Sequence, residues 1–405
     1  MTSTLANRFG IIAALFLCAT GASAADTSQT TEHDRLARVV DETIRPVMAQ
    51  YQVPGMAVAV TVQGRSYVFN YGLASKADAK PVTGQTLFEI GSVSKTFTAT
   101  LASYAAERGM LSLADKASQY LPSLAGSSFD AISLLELGTY TAGGLPLQFP
   151  DAVSSPAQMV EYFRGWKPDY APGTHRRYSN PSIGLFGYLA AQSMKEPFDN
   201  LMERQIFPGL GLKHTYVRVP RARMADYAYG YARDDRPIRV NPGMLDSETY
   251  GVKTTAADMI RFVEANIDGS RLDPSLQRAI AGTHTGYFRV GPMTQGLGWE
   301  IYAWPTRLDD LLAGNDAGML EPKEATWLAP PQPPRTDVLI NKTGSTNGFG
   351  AYVVFVPARQ IGVVMLANRN LPIPDRVRAA YRILTALEVQ GTQGTQGTQG
   401  PQPAR

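Results

Sequence analysis

The alternation of apolar and polar residues predicts strands near both ends of the chain. Residues 56–62 and 66–71 alternate around Gln63-Gly64, and two apolar stretches, 351–356 and 361–367, flank a short connection. Alternation with a period of two is typical of strands, and a glycine in a two-residue connection favours a hairpin turn. We therefore expect a β-hairpin from each end of the chain.

Apolar residues at helical spacing predict helices along the rest of the chain. Leu36, Val40 and Ile44 recur every fourth residue, as on the buried face of a helix. Gly109 directly follows another such stretch, and a glycine is common just after the last residue of a helix. The predicted helices cover residues 32–50, 92–108, 156–163, 183–194 and 375–389.

The order of these elements predicts how the domain is organised. We expect one unit of residues 25–390 with a mixed α/β part, in which an antiparallel sheet built from residues 25–90 and 325–390 is flanked by helices. A mainly helical, all-α part of residues 91–324 is inserted into it. Residues 209–250 are rich in Arg, Asp, Pro and Gly, and a loop of this length is usually functional or disordered.

The first residues have the pattern of a secretory signal peptide. Arg8 supplies a positive charge, residues 11–19 are apolar, and Ala22-Ser23-Ala24 provides a small-residue cleavage site. The apolar stretch is too short to anchor the chain across a bilayer. The sequence predicts removal of residues 1–24 and export, with the periplasm as the destination.

The predicted mature chain contains no cysteine and ends in a polar repeat. Cys18 is the only cysteine, and Leu17 before it lacks the small size that a lipoprotein site requires. No disulfide can form once residues 1–24 are removed, so stability has to come from the core. Residues 391–405, which repeat Gly-Thr-Gln and finish with Gly-Pro-Gln-Pro-Ala-Arg, have nothing to bury and predict a flexible tail.

Composition and charge exclude several classes of function. The chain of 405 residues is 44% hydrophobic and 18% charged, with a formal net charge of +3, as in an ordinary globular protein. Lys and Arg form no long runs and are not interleaved with aromatic residues, which argues against nucleic-acid binding. No cluster of His, Cys and Asp has metal-ligand spacing, so we expect neither a metal nor a cofactor.

Three short motifs occur in order along the chain. They are Ser92-Val-Ser-Lys95, Tyr178-Ser-Asn180 and Lys342-Thr-Gly344. Each alone has an ordinary structural explanation: a capping serine with a solvated lysine, a loop tyrosine beside an Asx turn, and a strand that enters a turn. The ordered combination of all three indicates a nucleophilic site instead.

The spacing within two of these motifs suits attack on a carbonyl. Ser92 and Lys95 share one face of the predicted helix, and Ser92 lies at its N-terminus, where free N–H groups stabilise negative charge. Lys342 and Gly344 lie on one face of a predicted strand, so a substrate can lie across the glycine while Lys342 meets its negative charge. The N–H of Ser345 is expected to complete an oxyanion hole.

A serine hydroxyl needs a neighbouring base before it attacks a carbonyl. The histidines of the chain match no triad, which leaves Lys95 and Tyr178 as candidates. Near two ammonium groups the Tyr178 phenol has a lowered pKa, and crowding also lowers the pKa of one lysine. The proton is then shared by a coupled cluster, and either residue can be the base.

Beyond the three motifs, longer segments resemble those of the class C (AmpC-type) serine β-lactamases. They are residues 88–97, 139–148, 340–344, 347–352 and 366–370, and the similarity extends from about residue 31 to residue 389. The resemblance implies the fold that these enzymes share with penicillin-binding proteins. It also implies hydrolysis of the amide bond of penicillins and cephalosporins through an acyl-enzyme on Ser92, and hence β-lactam resistance.

The resemblance implies roles for individual residues. Lys95 and Tyr178 become the proton-transfer pair, while Lys342 supports Tyr178 and the substrate carboxylate. Gln148 and Asn180 bind the amide side chain of the substrate. The implied catalytic residues are Ser92, Lys95, Tyr178 and Lys342, and the implied substrate-binding residues are Ser92, Gln148, Tyr178, Asn180, Tyr250, Thr343, Gly344, Ser345 and Asn370.

Three of these positions rest on the resemblance alone: Gln148, Tyr250 and Asn370. Tyr250 is expected to line the pocket beside the loop of residues 209–250, and Asn370 to lie near the substrate carboxylate. The family often has a second asparagine three residues further on, where this chain has Ile373. Carboxylate binding is therefore expected to depend more on Lys342.

Two other functions are compatible with the same motifs. A DD-peptidase or esterase of this fold uses the same Ser-Lys-Tyr chemistry, although such relatives often carry a histidine at the position of Lys342. A penicillin-binding sensor is acylated and never released. In each case we expect a monomer that binds small molecules, with no nucleic acid and, after signal cleavage, no membrane.

Overall fold

The computed structural model describes the backbone of residues 20–394 and the side chains of residues 31–388. Residues 1–19, which include most of the predicted signal peptide and Cys18, lie outside the described residues, as do residues 395–405 of the predicted tail. The first described helix, α1, spans Thr20–Gln50 and so begins before the predicted cleavage site.

A ten-stranded antiparallel sheet forms the centre of the fold. In chain order its strands are β1 Gly55–Val62, β2 Arg65–Ser75, β3 Lys80–Pro81, β4 Gly286–Val290, β5 Met293–Gln295, β6 Glu300–Ala303, β7 Thr326–Gln332, β8 Val338–Ser345, β9 Gly350–Val356 and β10 Ile361–Ala367. Across the sheet they follow the order β7-β4-β5-β6-β8-β9-β10-β1-β2-β3.

Both predicted hairpins are confirmed, and they meet in the middle of the sheet. Gln63 and Gly64 connect β1 to β2 with φ values of 51° and 74°, the left-handed pair that a tight hairpin turn requires. Strand β9 pairs with β10, and β10 pairs with β1 so that Met56 lies opposite Ala367. Strands from opposite ends of the chain are therefore neighbours, as the sequence predicts.

The sheet is larger than the sequence predicts. Strands β4, β5 and β6 come from residues 286–303, which the sequence assigned to the inserted helical part. They contain 5, 3 and 4 residues, too few to show a period of two. The main helical insertion ends near Thr283, well before the boundary expected near residue 325.

Helices surround this sheet. After α1 they are α2 Ser94–Glu107, α3 Ala117–Tyr120, α4 Leu134–Gly138, α5 Pro156–Gly165, α6 Asn180–Ser193, α7 Phe198–Leu201, α8 Phe207–Gly209, α9 Asp246–Thr249, α10 Ala256–Ile267, α11 Pro274–Thr283, α12 Leu308–Ala313 and α13 Ile373–Gly394. The five predicted helices correspond to α1, α2, α5, α6 and α13, and α13 continues into the start of the predicted tail. The expected loop of residues 209–250 holds only short elements in this structure.

Both faces of the sheet are covered. On β10, Val363 and Met365 pack with α1 and α13, whereas Val364 and Leu366 pack with α2 and α10. Burial on both faces explains why β9 and β10 have continuous apolar sequences rather than alternating ones. Helix α2 is buried along most of its length and contacts α6, α9 and α11, so its polar residues from Ser94 to Ser103 are held inside the molecule.

Candidate active site

Ser92 lies in a short 3-10 turn, Gly91–Val93, directly before helix α2. The Lys95 ammonium, in the first turn of α2, donates hydrogen bonds to Ser92 Oγ at 3.0 Å and to the carbonyl oxygen of Thr249 at 2.8 Å. Lys95 is fully buried. The structure thus brings Ser92 and Lys95 together, with the serine just ahead of the helix rather than inside it.

Tyr178 reaches the same place from the segment before helix α6. Lys95 Nζ lies 5.3 Å, and Lys342 Nζ 4.9 Å, from the centre of the Tyr178 ring. The Tyr178 hydroxyl is buried and has no hydrogen-bond partner among the described residues. The protonation of this oxygen is governed by its burial, by the charges around it and by the nearby Ser92 hydroxyl.

Those charges shift the pKa values of the cluster. Burial raises the pKa of Tyr178, but the positive charges of Lys342 and Lys95 outweigh burial, and the pKa falls to about 8. Burial lowers the pKa of Lys95 to about 8, although a charged Tyr178 opposes that shift. Both groups are able to exchange a proton near neutral pH, as acid–base catalysis requires.

Lys342, from strand β8, is held by a buried carboxylate. Its Nζ lies 3.8 Å from Glu300 Oε1, and the same oxygen accepts a hydrogen bond from Arg176 Nη2 at 3.2 Å. The side chains of Arg176, Lys342 and Glu300 are 1%, 3% and 7% exposed. Sequence reasoning did not identify Glu300 or Arg176, and the only local signal for Glu300 is a charge between Trp299 and Ile301 in a short strand.

Two glycines let the backbone before Ser92 pack directly against strand β8. A Cβ on Gly344 would lie 1.9 Å from the carbonyl oxygen of Ile90, and a Cβ on Gly91 would lie 2.5 Å from the Ser345 nitrogen. Gly91 also has a φ of 51°, in the left-handed region that favours glycine. This backbone contact explains why residue 344 is a glycine. The sequence pattern alone suggests instead a substrate that lies across the same glycine. The contact places Gly91, which directly precedes Ser92, next to the Ser345 nitrogen, so the N–H groups of Ser92 and Ser345 are the candidates for an oxyanion hole.

The site opens into a cavity of about 480 Å³. Asn180 Nδ2 donates a hydrogen bond to Gln148 Oε1 at 2.9 Å, and Asn180 Oδ1 is buried without a partner among the described residues. The two amides therefore form a polar part of the cavity wall. The cavity is lined by Ser92, Gln148, Tyr178, Asn180, Tyr250, Lys342, Thr343, Gly344 and Ser345 of the predicted site residues.

Asn370 is placed differently from the expectation. It does not line the cavity, and its Oδ1 accepts a hydrogen bond from Arg376 Nη2 at 3.1 Å. Arg376, which the sequence did not reveal as part of the site, thus holds the amide oxygen of Asn370, and the Asn370 Nδ2 group is the one that could donate to a carboxylate. Ile373 and Pro374 form this part of the cavity wall instead.

The chemistry available here comes from side chains and backbone N–H groups. In the described part of the chain, no group of three or more His, Cys, Asp or Glu side chains could hold a metal ion. None of the helices of residues 20–394 combines the length and hydropathy of a membrane-spanning segment. The arrangement offers a serine nucleophile, two groups that can take its proton, and donors for an oxyanion.

Comparison with known proteins gives matches over nearly the whole chain. The family model described as Beta-lactamase matches residues 40–388. A beta-lactamase of Pseudomonas fluorescens is 56% identical over 352 residues, which are 87% of this chain and 98% of that relative. The solved structure of a D-alanine carboxypeptidase AmpC from Burkholderia cenocepacia is 55% identical with a TM-score of 0.83, and covers 87% of this chain and 99% of its own.

A solved class C beta-lactamase in complex with cefoxitin is 48% identical, with a TM-score of 0.86 over 88% of this chain and 99% of its own. All the site residues, from Ser92 to Asn370, fall within the matched range of residues 40–388. The expected fold of serine β-lactamases and penicillin-binding proteins is thereby confirmed. This chain belongs to the beta-lactamase family, and within it to the class C, AmpC-type proteins.

Proposed function

We propose that this chain hydrolyses the amide bond of β-lactam rings through an acyl-enzyme on Ser92, and so confers resistance to penicillins and cephalosporins. The observation that carries the proposal is the meeting of Ser92, Lys95, Tyr178 and Lys342, from three separate segments, at one cavity. Such a cluster combines a nucleophile with the group that activates it.

In the first step the Ser92 oxygen attacks the carbonyl carbon of the lactam. The hydroxyl proton passes to a neutral Lys95 amine or a Tyr178 phenolate, and the N–H groups of Ser92 and Ser345 stabilise the oxyanion. As the tetrahedral intermediate collapses, the C–N bond breaks and the ring nitrogen takes the proton from the cluster. The product is an ester of Ser92 that carries the opened ring.

In the second step a water molecule attacks this ester. The cluster takes one proton from the water, and the Ser92 oxygen recovers a proton when the ester bond breaks. The product leaves as a carboxylic acid with an opened ring, and the enzyme returns to its first state. Because Lys95 and Tyr178 have similar pKa values of about 8, both proton transfers belong to the pair rather than to one residue.

The cavity walls suit the two ends of a bicyclic β-lactam. The Lys342 ammonium faces the side where the negative ring carboxylate would bind, and Glu300 neutralises only part of its charge at 3.8 Å. On the other side, the amide side chains of Gln148 and Asn180, which line the cavity, would bind the exocyclic amide. Asn370 is not part of this proposal for carboxylate binding, because it does not line the cavity.

A D-alanine carboxypeptidase is the second candidate. The observation in its favour is the likeness to the Burkholderia cenocepacia structure, which bears the name D-alanine carboxypeptidase AmpC. Both reactions, like that of an esterase, begin with acyl transfer to a serine, and a sensor would share the first step alone. Lysine rather than histidine at position 342 and the sequence around Gln148 favour the lactamase.

We also propose that the mature chain, without residues 1–24, acts in the periplasm as a monomer. The charged, apolar and small-residue segments of the first residues support export. Fractionation of cells that express the full chain, with the mature N-terminus read by mass spectrometry, tests the destination. A mature chain that starts at Ala25 in the periplasmic fraction is expected, and retention of residues 1–24 would contradict the proposal.

Hydrolysis of a chromogenic cephalosporin by the purified mature chain tests the function. Sustained turnover of many equivalents is expected. A single burst of one equivalent would indicate a sensor. Faster release of D-alanine from a peptide that ends in D-Ala-D-Ala than hydrolysis of any lactam would indicate the peptidase.

A further inference from the structure

A buried arginine lies directly behind the proposed oxyanion hole. Arg376, in the first turn of α13, is 1% exposed and does not line the cavity. Its Nη1 donates to the carbonyl oxygens of Gly344 at 2.5 Å and Ala351 at 3.0 Å. Its Nη2 donates to Ser345 Oγ at 2.9 Å and Asn370 Oδ1 at 3.1 Å. The guanidinium therefore contacts both residues of the strand end that supplies the second oxyanion donor.

All these partners are neutral oxygens. Among the described residues, Arg376 makes no ion pair with a carboxylate, so its charge is buried without compensation. Burial lowers the pKa of Arg376 to about 10, which still leaves the side chain positively charged at neutral pH. A buried, unpaired charge is costly, and apolar side chains of similar volume often replace buried charges without loss of stability. A charge at this position therefore favours a role other than packing.

The Gly344 carbonyl and the Ser345 N–H belong to the same peptide group. A charged donor at the carbonyl oxygen draws electron density along the C–N bond, which has partial double-bond character. Hydrogen bonds joined in this way polarise one another, so the Ser345 N–H becomes a stronger donor. The second contact, from Nη2 to Ser345 Oγ, fixes the orientation of the same residue.

We propose that Arg376 is a positioning residue of the reaction, which orients and polarises the Gly344–Ser345 peptide so that the Ser345 N–H stabilises the oxyanion. It acts through this peptide and does not contact the substrate. The inference rests on the acyl-enzyme of the proposed function and deepens it, because it assigns a source of strength to one half of the oxyanion hole.

Two simpler roles for Arg376 have different consequences. Direct binding of a substrate carboxylate would make its loss raise KM and leave kcat unchanged. A purely structural role would lower stability and leave the acyl-enzyme carbonyl unaffected. If Arg376 polarises the peptide, its loss changes the carbonyl bond of the Ser92 ester and weakens the binding of a tetrahedral analogue. Its loss then also lowers kcat more than it raises KM.

Three variants of the mature chain separate these roles. Arg376→Met removes the charge and keeps a long side chain, and Arg376→Lys keeps the charge with a different geometry. The matched control is Arg369→Gln, since Arg369 is also largely buried, at 13% exposed, but its guanidinium pairs with Asp235. The measurements are the infrared carbonyl band of the Ser92 ester, formed with a slowly hydrolysed, carbonyl-labelled β-lactam, and the inhibition constant of phenylboronic acid, which forms a tetrahedral adduct with a serine.

We expect Arg376→Met to move the ester band to higher wavenumber and to weaken phenylboronic acid binding by about 10-fold or more. This is less than the ~10²–10³-fold loss from removing an oxyanion donor outright, because the N–H itself remains. Arg376→Lys is expected to give an intermediate band and affinity, and Arg369→Gln the native values.

A native ester band and native phenylboronic acid affinity in both Arg376 variants would overturn the inference, whatever their stability. If Arg376→Met does not fold, Arg376→Lys decides, and a native band in that variant would overturn the inference equally. Mass spectrometry of the native chain separates this failure from that of the proposed function. If the native chain forms no adduct on Ser92, the proposed function fails; if the adduct forms and the band does not respond, the inference alone fails.

Discussion

The Lys95 ammonium nitrogen lies 3.0 Å from Ser92 Oγ and 2.8 Å from the carbonyl oxygen of Thr249. Both contacts suit the charged form of Lys95, which has to lose a proton before it can accept one from Ser92. A pKa lowered by burial to about 8 leaves a part of the Lys95 population neutral near neutral pH. Burial and the neighbouring charges of Tyr178 and Lys342, which together set this pKa, therefore decide when Ser92 can be activated.

Replacing Tyr178 by phenylalanine removes the phenol and keeps the ring. We expect Tyr178→Phe to lower kcat by ~10²-fold or more, the usual contribution of an acid–base group. The matched control is Tyr302→Phe, because the Tyr302 hydroxyl is also buried without a partner among the described residues and lies outside the cavity. Steady-state kinetics of both variants provide the test, and an unchanged kcat in Tyr178→Phe would leave Lys95 as the sole base.

Lys342 is expected to set the pH at which the cluster loses its proton. Its positive charge lowers the pKa of both Tyr178 and Lys95. Lys342→Met removes that charge, so both pKa values rise and the acid limb of the kcat/KM profile moves to higher pH.

The position of this limb is the quantity to measure, because loss of carboxylate binding in Lys342→Met lowers the height of the whole profile. Lys213→Met, at an exposed lysine, is the control and is expected to keep the native limb. A limb at the native pH in Lys342→Met would show that Lys342 does not control the proton.

The close contact between Gly344 and the backbone before Ser92 makes a sharp steric prediction. A Cβ at position 344 would lie 1.9 Å from the Ile90 carbonyl, so Gly344→Ala has to push this backbone, and Ser92 with it, away from Ser345. We expect kcat/KM to fall by about 10²-fold or more, as when an oxyanion donor is lost. Gly84→Ala, where a Cβ meets no atom within 4 Å, is expected to keep native kinetics. Native kinetics in Gly344→Ala would contradict the described contact.

The buried carboxylate of Glu300 is expected to matter for stability. Glu300→Gln leaves Arg176 and Lys342 buried without their shared negative partner. Removing one member of a buried ion pair typically costs about 3–5 kcal/mol of unfolding free energy. Asp337→Asn breaks the pair between Asp337 and Arg335, which are both exposed, and is expected to leave the free energy of unfolding close to the native value. Urea unfolding measures the free energy of unfolding of both variants. A similar loss in the two variants would contradict the expectation that the buried carboxylate contributes more than the exposed one.

The nucleophilic cluster was accessible from the sequence because each of its motifs is local. Ser92 and Lys95 share a helical turn, and Lys342 to Gly344 share a strand, so their spacing alone indicates which atoms can meet. The hairpins at both ends were accessible for the same reason. That Tyr178 would join the cluster did not follow from local spacing; the order of the three motifs and the lack of a histidine triad indicated it, and the resemblance to a known family implied the same.

The buried charges could not be found in this way. Glu300, Arg176 and Arg376 acquire their meaning from contacts between segments far apart in the chain, which no periodicity records. The expected role of Asn370 near a substrate carboxylate stays a prediction, and its contact with Arg376 could not be found from the sequence for the same reason. Strands β4 to β6 were missed because each is too short to show alternation.

The covalent step on Ser92 is the central claim, and mass spectrometry after brief exposure to a β-lactam tests it most directly. We expect the native chain to gain the mass of one lactam on the peptide that contains Ser92. Ser92→Ala, with its thermal unfolding midpoint measured to confirm an intact fold, is expected to gain none. An adduct of undiminished yield on folded Ser92→Ala would show that another group is acylated and would contradict the account.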